Sequence, residues 1–155
     1  MVKGGKCWAE VVIDLDRNTK LIDYPKALIP YDFLIVLSEE SARGVKKTHL
    51  KEGENTGYLI WDSSTIKKFN SAKRMKSLAL PVQRLALEKF GNTVYGNSIL
   101  FGAFTSLSKI ISEEAAIETI KNFVPKTTLE ENLEAFELGK IEAQYFLKQL
   151  EEEKK

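Results

Sequence analysis

The rhythm of apolar and polar positions changes near residue 78. Upstream, apolar residues come in short runs broken by turn residues. Trp8-Ala-Glu-Val-Val-Ile13 is β-branched and apolar and reads as a strand running into the turn-rich Asp14-Leu-Asp-Arg-Asn-Thr19. Leu21-Ile22 resumes the apolar character and Pro25 stops it, which predicts a hairpin or a short return strand. Phe33-Leu-Ile-Val-Leu37 is apolar without alternation, the pattern of a strand buried on both faces of a largely parallel sheet. Ser38-Glu39-Glu40 supplies an N-cap and an acidic first turn for a helix over about 39–48. Gly57-Tyr-Leu-Ile-Trp61 is a third strand, ended by Asp62-Ser63-Ser64.

Downstream the pattern is helical. Leu80-Pro81 followed by Val82, Leu85, Ala86 and Leu87 predicts a short helix with proline in its first turn and Gly91 past its end. An uncharged helix over about 93–109 opens after Asn92. Ser112-Glu113-Glu114 caps the next, whose apolar face is Ala116, Ile117, Ile120, Phe123 and Val124, stopped before Pro125. Thr127 with Glu130 has the spacing of a capping box for a last helix. Leu129, Leu133 and Phe136 make its first stripe, continued by Ile141, Tyr145 and Phe146. Residues 1–65 are thus mainly strands and 79–150 mainly helices, within one domain over 1–155. The class is α/β: a small, largely parallel sheet flanked by helices, with a helical C-terminal half. Three strands make a thin sheet for so many helices.

Composition narrows the function. Lys plus Arg is 23 and Asp plus Glu is 22, a net charge of +1, so no overall field draws in nucleic acid or an anionic membrane. One cysteine, Cys7, excludes an internal disulfide, and a reducing, cytoplasmic setting is expected. One cysteine and one histidine, His49, also remove most zinc sites and any cysteine-ligated iron–sulfur cluster. The uncharged stretch from Phe90 to Ser108 contains Asn92, Asn97 and three glycines, so it reads as a buried helix and not a membrane span.

Few residues point to chemistry. Asp14-x-Asp16-x-Asn18 opens like a calcium loop, but Thr19 and Pro25 occupy the positions that need glycine and a bidentate glutamate; a solvated turn is expected. His49 lies in a basic surface stretch without a second ligand of its type, and Cys7 is placed on the first strand as a small buried residue. Lys67, Lys68, Lys73, Arg74 and Lys76 cluster after the third strand, either to hold a phosphate or simply as an exposed loop. Ser98, Gly102 and Ser106 share one helix face, and Asn132, Ala135 and Gly139 another. A mid-helix glycine costs about 1 kcal/mol, so tight helix–helix or subunit packing is the expected reason for Gly102 and Gly139.

Several of these residues occur in an order that resembles a known family. Gly91-Asn92, Asn97-Ser-Ile-Leu-Phe-Gly102-Ala103, Ser112-Glu-Glu-Ala-Ala-Ile117 and Asn132-Leu-Glu-Ala135-Phe-Glu-Leu-Gly139 look like the C-terminal half of the gamma subunit of 2-oxoacid:ferredoxin oxidoreductases. Lys3-Gly4-Gly5 resembles that family's Arg-Gly-Gly, with the bidentate fork of arginine lost. Ile22-Asp23-Tyr24-Pro25 followed by Asp32-Phe-Leu-Ile-Val-Leu-Ser38 resembles its Ile-Asp-Tyr-Pro and central strand, in the form of the branch acting on 2-oxoglutarate and related 2-oxoacids. Members usually begin with a strand, a Gly-x-Gly-Gly-x-Gly loop and a helix, whereas Met1 stands immediately before the Lys-Gly-Gly. The resemblance therefore implies a fold truncated at the N-terminus, its anion-binding unit encoded elsewhere, lost, or replaced by a partner or a second copy.

The resemblance implies an accessory subunit, not catalytic alone, of an enzyme converting a 2-oxoacid such as pyruvate or 2-oxoglutarate to its acyl-coenzyme A while reducing ferredoxin. Thiamine diphosphate and iron–sulfur clusters would sit on other subunits, and this chain would bind no cofactor alone. Gly4, Gly5, Asn92 and Asn97 are the positions it implies for any contact with coenzyme A. Partners are the other subunits and, through them, ferredoxin. The alternative is a stand-alone homodimeric interaction module derived from the same fold. An accessory subunit should expose an apolar patch.

Overall fold

The computed structural model describes residues 7–16, 18–22, 26–53 and 56–152. A parallel sheet of order β1-β2-β3 is built from β1 (Phe33–Val36), β2 (Tyr58–Asp62) and β3 (Lys76–Leu80). α1 (Glu39–Gly44) and a 3-10 turn at Lys47–His49 join β1 to β2. After β3 come α2 (Val82–Phe90), α3 (Gly96–Ser108), α4 (Glu113–Phe123) and α5 (Leu129–Glu152).

The helical half follows its signals. Ser38 accepts from the Ser41 N–H and Ser112 from the Ala115 N–H, each capping its helix as expected. Gly91 ends α2 in the left-handed region at φ 71°. The uncharged stretch is a helix buried inside the protein: Ile99, Leu100, Gly102, Ala103 and Leu107 are all buried. No helix among the described residues is long and apolar enough to cross a membrane.

β2 is the central strand, and its alternate residues feed two cores. Ile60 faces α2, α3 and α5 together with Leu78, Leu80, Val82, Ile99 and Ala103. Leu59 faces the other side, with Val36, Ala42, Leu50, Ile66 and Phe69. A third cluster joins α4 to α5 through Ala116, Ile120 and Phe136. The two-sided burial expected of Phe33–Leu37 therefore belongs to β2. Among the described residues β1 lies at the edge of the sheet, and Ile35 and Leu37 are exposed.

Other expectations are corrected. Trp8–Ile13 is not a strand, Leu21–Ile22 gives no return strand, and Cys7 is exposed. An extended segment needs a ladder partner, and none pairs with this one among the described residues. β3 begins at Lys76, the last residue of the basic cluster, in a stretch where the sequence pattern predicts no strand. Lys76-Ser-Leu-Ala-Leu80 has weak strand propensity and forms through pairing with β2. α1 is shorter than 39–48, ending at Gly44. Phe123 is exposed, as are Ile141 and Tyr145, so they lie off the apolar stripes assigned to them. At the start of α5, Thr128, and not a Thr127–Glu130 box, makes the turn: its N–H and hydroxyl both donate to the Pro125 carbonyl.

Candidate functional site

At the C-terminal ends of β2 and β3 the loop Asp62-Ser63-Ser64 caps α2 from a distance. Pro81, the N-cap residue, has no side-chain acceptor to offer. Asp62, 1% exposed, accepts through one carboxylate oxygen from the Ser64 N–H at 2.8 Å and the Val82 N–H at 3.1 Å. The Ser64 hydroxyl accepts from the Arg84 N–H at 3.1 Å. Parallel pairing brings Asp62 level with Leu80 and so delivers the cap. These groups are satisfied by the protein, which makes them a structural joint. Sequence reading saw Asp62 and Ser64 only as a strand end.

The small-residue faces meet each other. A Cβ on Gly102 would collide with the Phe136 carbonyl oxygen and lie 2.8 Å from its carbon and 3.1 Å from the Lys140 nitrogen. A Cβ on Gly139 would collide with the Ile99 carbonyl oxygen and lie 3.0 Å from the Ala103 nitrogen. The contact is reciprocal: α3 and α5 touch backbone to backbone, as the spacing predicts. Ser98 donates to Asn132 Oδ1 at 2.6 Å, and Asn132 Nδ2 donates to the Thr128 carbonyl at 2.7 Å. The seam is therefore polar at its start and close-packed at its middle.

Lys140 fastens α5 to α4. Its buried Nζ pairs with Glu113 and, at 2.8 Å, with Glu137. Burial alone would lower its pKa, but hydrogen bonds and charge from Glu113 and Glu137 outweigh that and hold it above the ordinary lysine value. A raised folded-state pKa contributes stability that is complete below the unfolded value and is lost as pH rises through the folded one. Lys140→Met should therefore cost about 1 kcal/mol at neutral pH, because both carboxylates are half exposed. That margin over the variant should shrink in strongly alkaline buffer. Urea midpoints of the two proteins at pH 7 and well above the ordinary lysine value of 10.5 check this; a margin independent of pH contradicts it.

Gly4 and Gly5 lie outside the described residues, as do Lys3 and Asp23-Tyr24-Pro25. Asn92 and Asn97 are both exposed near the start of α3. Asn92 Oδ1 already accepts from the Val94 N–H at 3.0 Å, capping the 3-10 turn Thr93–Tyr95. Asp14, Asp16, Asn18 and Thr19 are hydrogen-bonded as in a turn, as expected: Asp14 accepts from the Asp16 N–H and the Thr19 hydroxyl, and Asp16 from the Asn18 N–H. Those bonds, the Asp16 N–H first, hold the Asp14 carboxyl below the usual range. His49 Nδ1 faces the Lys46 N–H at 3.5 Å. The basic cluster is split: Arg74 and Lys76 share a cavity with Lys47 and Lys51, while Lys67, Lys68 and Lys73 do not line it.

Large apolar side chains stand exposed along the N-terminal stretch. Trp8 is 77%, Val11 77%, Leu15 71% and Leu21 75% exposed, followed by Leu28 and Ile29.

Residues 1–141 match the family described as pyruvate ferredoxin/flavodoxin oxidoreductase. The subunit KorC of 2-oxoglutarate synthase from Methanothermobacter thermautotrophicus is 36% identical over 143 residues, 89% of this chain and 71% of that protein. KorC from Methanocaldococcus jannaschii is 33% identical over 142 residues, 88% of this chain and 69% of that one. Among solved structures, the gamma subunit of a keto/oxoacid ferredoxin oxidoreductase from Geobacter sulfurreducens superposes with a TM-score of 0.65 at 28% identity, covering 74% of this chain and 64% of that one. The parallel sheet, the helical half and these matches agree: the chain belongs to the pyruvate ferredoxin/flavodoxin oxidoreductase family and carries its gamma-type domain.

Proposed function

We propose that this chain is the accessory gamma subunit of an enzyme that oxidatively decarboxylates 2-oxoglutarate to its acyl-coenzyme A and reduces ferredoxin, and that it is not catalytic alone. The observation that carries the assembly role is the set of exposed apolar side chains Trp8, Val11, Leu15, Leu21, Leu28 and Ile29 among the described residues. Obligate interfaces bury surface of this kind, more hydrophobic than ordinary protein exterior. The choice of 2-oxoglutarate rests on the KorC relatives. The donor set does not fit an iron–sulfur cluster: the chain has one cysteine where such clusters take about four thiolates. Clusters accordingly belong to the partner subunits, and thiamine diphosphate is assigned to them on the family resemblance alone. With Trp8→Ser and Val11→Ser together, co-purification with those subunits should fall at least tenfold while the isolated chain keeps its circular dichroism spectrum. Unchanged co-purification would remove the segment from the interface.

Gly4, Gly5, Asn92 and Asn97 are the proposed contacts to coenzyme A within that assembly. Asn97 is the most informative, since its exposed side chain makes no hydrogen bond within the described residues. Asn97→Ala in the assembled enzyme should raise the KM for coenzyme A several-fold, the loss of about 1 kcal/mol expected of one hydrogen bond. An unchanged KM would discard that residue.

A further inference from the structure

We draw no further inference here: the strongest candidate, the groove of about 460 Å³ between β3 and α5 lined by Leu78, Ala79, Tyr145 and Phe146, carries nothing because nothing in the structure shows what covers it.

Discussion

Gly102→Val should destabilise the protein by about 3 kcal/mol, because the α3–α5 seam has no space for a side chain. At an exposed helical position the same glycine would be a liability, and alanine would gain about 1 kcal/mol. Here the first atom beyond Cα meets the Phe136 carbonyl. Either the helices separate, opening the packing of Ile99, Ala103 and Ala135, or the backbone bends. Overpacking of this kind costs about 1–3 kcal/mol even where side chains alone must give. Gly139→Ala should behave alike, since its neighbour is the Ile99 carbonyl. Urea unfolding of Gly102→Ala, Gly102→Val and Gly139→Ala decides it. An alanine variant more stable than the parent would mean that the helices do not touch through their backbones.

Asp62→Ala should cost about 3 kcal/mol, and Asp62→Asn much less. Alanine strands two N–H groups, those of Ser64 and Val82, in an environment that excludes water. Each hydrogen bond to a charged group contributes about 1.5–3 kcal/mol, and a buried donor left unpaired adds its own penalty. Asparagine keeps an oxygen at the same place, so the gap between the two variants isolates the acceptor from the packing. The loss should concentrate where β2 hands over to α2: hydrogen exchange should speed up at Val82 to Leu85 more than in α4. Equal stability of the alanine variant would contradict the distant-cap reading of α2.

What the sequence makes legible depends on how local the cause is. α2 to α5 are legible because Pro81 and Gly91 at the ends of α2, the Ser112 cap of α4 and most of the apolar spacing are local to those elements. The α3–α5 seam is legible too, since a glycine amid good helix formers implies a close approach. β3 is not, because Lys76-Ser-Leu-Ala-Leu80 becomes a strand only through its register with β2. The reverse error at Trp8–Ile13 has the same root: a composition suited to a strand makes one only beside a partner. Asp62 as a cap depends on contact across 20 residues of sequence. Lys47 and Lys51 likewise stand far along the chain from Arg74 and Lys76, so the basic cluster in the sequence gives only two of the four basic residues that line one cavity. The resemblance supplied what local patterns lacked, and the family match and the Geobacter sulfurreducens fold agree with it.

The accessory-subunit role is tested most directly by native mass spectrometry of the untagged protein, purified gently from its own source. The expected result is a complex in which this chain accompanies larger subunits carrying thiamine diphosphate and iron–sulfur clusters. A clean monomer or homodimer without such partners would contradict the role and favour the stand-alone module.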